Sequence, residues 1–422
     1  MSTAVLSVVV LALVVLVATV RPVNMGALAF VASFVVGGLI GGEAPKDVLA
    51  AFPADIFLVL VGVTYLFAIA RSNGTVGWAI DASFRAVHGK AAAIPWVFFL
   101  LSAALCGIGA LSHAVALILM PAGMTIAAAH GVRPLLVVIM VGMGATAGSF
   151  SPLGVLGVVV RGIQVRNGLP VDPNALFLAT LVFGIAAAAI TAFFVRPRTP
   201  DADRSPLRTH RGPGTATAPP TTPRPTLAQG STLAGLALLV VGAIGLGIDI
   251  GFLALTIAVV LTLAFPASSG GALGDVSWGI VLLLSGVLTY VGVLQRNGTI
   301  EWAGASVAAV GAPVVAALLI CVIGAVVSAF ASTTGLLAAL VPMTVPLVAS
   351  GSISAVGLVA ALAISSSLVD VSPFSTGGAI AMANADAAER RTIYRGLLVF
   401  AGSVTVAGPL VSWAVLVASG GF

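Results

Sequence analysis

Charge is scarce in this chain. Asp, Glu, Lys and Arg make up 7% of its 422 residues, against about 25% in a soluble globular domain. With 59% apolar residues and a mean hydropathy of +1.19, a soluble fold is excluded and a polytopic membrane protein remains. Cysteine is nearly absent: Cys106 and Cys321 fall in separate apolar segments. They read as free, small packing residues that say nothing about redox compartment. No Cys/His metal spacing, phosphate-binding glycine loop or pair of membrane carboxylates occurs, and His88, His130 and His210 fall in predicted loops. These absences remove the constellations on which enzymes are built. The pI near 9.9 does not call for nucleic acid, because the basic residues are dispersed through loops, as positive-inside topology requires. Met1–Val20 is apolar from its start and lacks a charged leading segment, so it is expected to be a mature span, not a signal peptide.

What is abundant is long apolar runs. They predict spans at about 4–20, 24–42, 54–71, 134–160 and 174–195, and again at 231–247, 250–266, 277–294, 353–383 and 396–419. A hydroxyl-rich stretch, Phe330-Ala331-Ser332-Thr333-Thr334-Gly335, separates the apolar arms Val314–Phe330 and Leu336–Pro346. Neither arm has the roughly 20 apolar residues of a crossing helix. The pattern predicts a re-entrant helical hairpin over 312–349, allowed at membrane depth where it is buried in protein or lines a wet cavity. Ala110-Leu111-Ser112-His113-Ala114 is its counterpart in a first hairpin, 93–129. Polar breaks at Ser149-Phe150-Ser151-Pro152 and Asp370-Val371-Ser372-Pro373 split the fourth span of each half, since proline removes a backbone donor.

The halves are copies. Pro121 and Pro342, and Pro152 and Pro373, share an offset of 221 residues; Asn73-Gly74-Thr75 and Asn297-Gly298-Thr299 share one of 224. Each half holds five crossings and a hairpin, and a duplicated odd unit inserts in opposite orientations. The expected fold is therefore an all-α inverted repeat: an N-terminal unit 1–195, a disordered cytoplasmic linker 196–230 rich in Pro, Thr and Arg, and a C-terminal unit 231–422. With both termini outside, fourteen of the 18 Lys and Arg residues lie in cytoplasmic segments. The first hairpin then enters from the cytoplasm and the second from outside. The Asn-Gly-Thr sequences fit N-glycosylation but, recurring at matched positions, read as turns; 75–90 and 299–309 are expected to lie along the interface.

Hairpin tips and helix breaks leave backbone groups free near the midplane. Helix N-termini there favour carboxylates, while carbonyls and hydroxyls suit a hard cation such as sodium. The candidate substrate-binding residues are Ser112, His113, Ala114, Ser149 and Ser151 in the first half, and Ser332, Thr333, Thr334, Ser372 and Thr376 in the second. Candidate cation ligands are Ser112, Gly144, Thr146, Gly148, Ser332, Ser366, Ser367 and Asp370. Serines also pack helices and Ser-Pro also marks plain kinks; the matched recurrence favours a site. His113 and Asp370, ionisable inside the membrane, are functional candidates by default. His113 fits either a carboxylate-binding, proton-carrying or structural role, and Asp370 either cation ligation, proton coupling or capping.

At these residues the sequence resembles the divalent anion:sodium symporter family of the ion-transporter superfamily, whose hairpin tips carry Ser-Asn-Thr. Ser332-Thr333-Thr334 resembles the second tip with Thr333 in place of Asn, and Ser112-His113-Ala114 a degenerate first tip. Phe52–Ala70, with Asn73-Gly74-Thr75 and Ile94-Pro95-Trp96, is similar to the N-terminal region of MatC-type dicarboxylate (malonate) carriers. The resemblance implies a plasma-membrane homodimer working by an elevator mechanism, with sodium at the two tips and a dicarboxylate between them. The function expected is sodium-coupled symport of a malonate- or succinate-like anion, or alternatively proton-coupled symport or anion exchange. A membrane lipid and a small anion are the expected partners, with no nucleic acid. Ser332→Ala is expected to weaken sodium-dependent uptake with little loss of folded protein; an unchanged sodium dependence in liposomes removes the tip from the site.

Overall fold

The computed structural model describes residues 3–21, 23–86, 91–195, 224–300, 302, 313–329, 333–349, 351–387 and 389–419. Among these the chain is helical and contains no strand. The first half runs α1 (Thr3–Val20), α2 (Met25–Ser33, prolonged by a π-helical segment Phe34–Ile40), α3 (Pro45–Ala50), α4 (Ala54–Ser72), α5 (Thr75–Ala86), α6 (Ile94–Gly107), α7 (Ser112–Ala129), α8 (Pro134–Ser149), α9 (Val155–Arg166) and α10 (Pro173–Phe194). The second runs α11 (Leu227–Val240), α12 (Ile250–Ala264), α13 (Trp278–Arg296), α14 (Pro313–Ser328), α15 (Thr333–Leu340), α16 (Ala355–Ser367), α17 (Thr376–Asn384) and α18 (Arg390–Trp413). Seven helical segments are long and apolar enough to cross a membrane. The linker to residue 223, the tip residues Phe330, Ala331 and Ser332, and 303–309 lie outside the described residues.

Local sequence explains where the helices begin. Asn24 accepts hydrogen bonds from Gly26 N and Ala27 N, and Asp249, at the same place in the second half, caps α12 through Phe252 N. A capping box between Thr226 and Gln229 starts α11 at Leu227. That start lies four residues inside the stretch read as linker, because the reciprocal cap satisfies backbone donors that composition alone leaves out of account. Both expected breaks are present. Helix α8 stops at Ser149 and α9 starts at Val155; α16 stops at Ser367 and, after a 3-10 turn at Leu368–Val371, α17 starts at Thr376. The first hairpin is α6 and α7, turned through Gly109 at φ +104°, where only glycine is unstrained. Its second arm has 18 residues and keeps Pro121 inside the helix, whereas Pro342 interrupts the corresponding arm with a 3-10 turn before a last helical stretch at Val345–Ala349.

The halves grip each other reciprocally. Helix α2 packs on α13 and α12 on α4; α10 packs on α16 and α18 on α8; α7 packs on α17 and α15 on α9. A contact made from the first half to the second and repeated in the opposite sense is the signature of a two-fold relation. Glycines fix the closest crossings. A Cβ on Gly286 would lie 2.0 Å from Gly26 O, and one on Gly62 would lie 2.7 Å from Gly251 O. The Asn-Gly-Thr turns are built alike: Asn73 Oδ1 accepts from Thr75 N and Oγ1, Asn297 Oδ1 from Thr299 N and Oγ1. Their amides then cross over, Asn73 donating to Thr232 Oγ1 at 2.7 Å and Asn297 to Ser7 Oγ at 3.0 Å. Arg71 of the first half pairs with Asp275 of the second, and Arg296 of the second with Glu43 of the first.

The two-fold relation fails at one seam. Helix α15 packs on α13, with Gly335 against Leu283 and Met25. Between α7 and α4 there is no such seam: Gly109 abuts Val63, but beside it a cavity of about 30 Å3 separates the helices. Gly286→Ala is expected to lower detergent-solubilised stability by at least the roughly 1–3 kcal/mol of an overpacked core, read as a drop in Tm. Gly402→Ala, with nothing within 4 Å of the new methyl, is expected to leave Tm unchanged or raise it; equal effects of the two overturn the close-crossing account.

Candidate functional site

Each broken helix is tied to the hairpin of its own half by the serine before its proline. Ser151 Oγ donates to Gly107 O at the end of α6 and accepts from Leu153 N at 3.2 Å and Gly154 N at 2.8 Å. Ser372 Oγ donates to Ala329 O just past α14, at 3.1 Å, and accepts from Ser375 N at 3.1 Å. A hydroxyl has one donor and two acceptor positions, so Ser151 is saturated and Ser372 nearly so. These two candidates act as staples between break and tip, holding backbone groups that a bilayer would leave unmet.

Other candidates are also engaged internally. Ser149 donates to Ala145 O, Ser365 to Ala361 O and Ser367 to Ala363 O, each one helical turn back. Gly144 and Gly148 lie where α6 comes nearest, since a Cβ on either would fall 2.1 Å from Phe99 O or Ala103 O. Small residues alternate sides along these seams. In the first half the glycine sits on the broken helix and the hydroxyl, Ser102, on the hairpin arm; in the second Gly324 is on the arm and Ser366 on the broken helix. Ser366 Oγ is buried without a hydrogen-bond partner. Thr146 Oγ1 crosses to Ser367 O at 3.3 Å. Those residues are themselves 221 apart, so this bond joins matching positions of the two halves.

What converges most closely is in the second half. Thr333 Oγ1 donates to Asp370 Oδ1 and also meets Ser328 Oγ at 2.6 Å, and Ser375 Oγ caps Asp370 O. Among the described residues no Lys, Arg or His pairs with Asp370. Ser328 was not singled out by sequence; its signal is its place as the last residue of the first arm, five before Thr333. The oxygens of Ser328, Thr333 and Asp370 form a hard donor set that fits a sodium ion or a proton. No group of three or more His, Cys, Asp and Glu residues occurs among the described residues, so a soft or transition metal has no site there. In the first half the equivalents of Thr333 and Asp370 are Ser112 and Ser149, and no acid is present. Ser112, His113 and Ala114 are half-buried, Thr334 likewise, and Thr376 is exposed. No hydrogen bond among the described residues joins the two tips. Cys106 and Cys321 are free and buried, as expected.

Residues 1–149 match the family model described as "Dicarboxylate carrier protein MatC N-terminus". The whole fold is similar to solved structures. The YdaH transporter of Alcanivorax borkumensis aligns with a TM-score of 0.62 at 13% identity, over 89% of this chain and 88% of that one. MtrF of Neisseria gonorrhoeae, described as illuminating a class of antimetabolite efflux pumps, aligns with a TM-score of 0.61 at 14% identity, over 99% of this chain and 95% of that one. No curated protein matches the sequence. This is a membrane transporter fold. Together with the carrier-family match, it points to a transporter and not an enzyme.

The cluster predicts energetic coupling. Thr333→Val keeps volume but strips Asp370 and Ser328 of their shared hydroxyl, costing about 1–3 kcal/mol of stability. Combined with Asp370→Asn, the losses are expected to fall short of additive by at least about 0.5 kcal/mol. Strict additivity in denaturation of the purified protein separates the two residues.

Proposed function

We propose that this protein is a secondary active transporter that couples a small dicarboxylate, malonate- or succinate-like, to sodium. The hairpins and broken helices form a moving core; α1 to α4 and α11 to α13 form the scaffold against which it slides. The single observation that carries this reading is that each hairpin is stapled to its own broken helix by Ser151 or Ser372. Tip and break then travel as one body while the scaffold is held by glycine crossings elsewhere. The repeats are inverted in the membrane, with both termini outside and the linker in the cytoplasm; the protein is a plasma-membrane homodimer.

The substrate's carboxylates are held by helix N-termini and by Ser112, His113, Thr334 and Thr376, since no Lys or Arg stands at a tip or break. Gly154 at the start of α9 is buried and offers no capping side chain to the helix amides that follow it, although its own amide is taken by Ser151 Oγ, and such a helix start suits an anion. The cation belongs at Ser328, Thr333 and Asp370. A carboxylate with no basic partner is costly in an apolar core unless a cation or proton neutralises it. The same observation favours a second reading, in which Asp370 carries a proton and the transport is proton-coupled.

Uptake of radiolabelled malonate and succinate into proteoliposomes, with sodium and pH gradients imposed separately, tests both. Sodium-driven concentrative uptake that Asp370→Asn reduces at least tenfold supports sodium coupling; uptake driven by pH alone transfers the role to the proton. Equilibration without accumulation under either gradient removes the secondary-transport reading.

A further inference from the structure

The cavity beside the first hairpin has a chemistry of its own. Its apolar wall is Phe67 of α4 with Leu111 and Ala114 from the tip and start of α7, and its polar rim is Arg71, Asp275 and Ser277. Ala114 is the repeat mate of Gly335, 221 residues away. Gly335 is packed against Leu283, so the same hairpin position is sealed in the second half and open in the first. About 30 Å3 is room for two water-sized groups, hence for one carboxylate.

Arg71 and Asp275 close the mouth with a 2.8 Å ion pair whose side chains are 38% and 50% exposed. An ion pair that exposed adds little to stability. Its guanidinium can therefore exchange one carboxylate for another at small net change, and its planar fork matches a carboxylate with two parallel hydrogen bonds. Ser277, half-buried on the rim, has no side-chain hydrogen bond to the helix it precedes, which leaves a donor facing the same space.

We propose that this cavity is a carboxylate-binding site at the cytoplasmic mouth of the first hairpin, in which Arg71 leaves Asp275 to hold one carboxylate of a short dicarboxylic acid as it passes between the tip and the cytoplasm. Asp275 is the resident that the incoming anion displaces. The apolar wall accepts the carbon chain and Ser277 donates to the second oxygen. Closing α7 onto α4, as α15 already lies on α13, would empty the cavity and pass the anion on. The site rests on the transporter reading for its purpose, but binding there can be measured without transport.

Opposite effects of the two partners are the test. In proteoliposomes, Arg71→Gln is expected to raise the KM for malonate at least tenfold with Vmax within about twofold, and Arg71→Lys to lie between. Asp275→Asn, which frees Arg71, is expected to lower KM. A purely structural latch moves both variants the same way, and that result overturns the proposal. For binding alone, Ser277→Cys gives a rim thiol while the native cysteines stay buried. Malonate is expected to slow its labelling by a water-soluble methanethiosulfonate at least threefold, and to lose that protection when Arg71→Gln is added. Protection without uptake leaves the site standing and removes the transport reading; absence of protection in Ser277→Cys with the native Arg71 removes the site.

Discussion

A helix interrupted inside a bilayer leaves backbone donors and acceptors that no water can meet, and the hydroxyls of Ser151 and Ser372 supply what is missing. Each reaches from a break to a carbonyl at the end of a hairpin arm and, in the other direction, collects amides of its own turn. The breaks can exist because the hairpins stand beside them, and the hairpin ends are tolerable because the breaks do. Neither feature is stable alone, which is why they occur together in both halves. The hydroxyls and carboxylate of the second-half cluster, Ser328, Thr333 and Asp370, lie at this junction.

The two halves have kept this junction and diverged around it. The position of Asp370 is held by Ser149 in the first half, and that of Thr333 by Ser112. The carboxylate and its hydroxyl chain through Thr333 to Ser328 therefore exist once. At both seams a glycine meets a hydroxyl, but from opposite sides, Gly144 with Ser102 and Gly324 with Ser366. A duplicated scaffold can in this way hold two different sites without two different folds.

Much of this was legible in the chain. The breaks follow from Ser-Pro in runs too long for one crossing, and the Asn-Gly-Thr turns from their recurrence; both are local rules that tertiary packing leaves alone. The roles of the hydroxyls were less accessible. Ser151 reads as a ligand because it lies in a helix break just before Pro152, yet three hydrogen bonds already occupy it, and two come from amides that only the folded turn brings near. Gly144 and Gly148 read as ligands by proximity to the break, and the fold shows that they are also the points where α6 comes within reach of a missing Cβ. Ser328 has only its place at the end of an apolar arm to mark it, and Arg71 and Asp275 meet across 204 residues of sequence. Partners so distant leave no periodicity to read.

Asp370 also constrains what coupling means in the proposed reading. An anionic substrate at the junction would face a carboxylate of the same sign. At roughly 5 Å and an effective dielectric of about 20, the repulsion is on the order of 3 kcal/mol, or about a hundredfold in affinity. A cation or proton at Thr333 and Asp370 removes that penalty, so its arrival raises anion affinity by the same factor. By reciprocity the anion tightens the cation equally. Such coupling needs no movement of the site, only a half-buried charge without a basic partner among the described residues, which is how Asp370 stands in this fold. A lysine or arginine beside Asp370 would hold the anion more tightly and abolish the dependence on a second ion. In the proposed reading the lack of one there, among the described residues, is thus a functional feature.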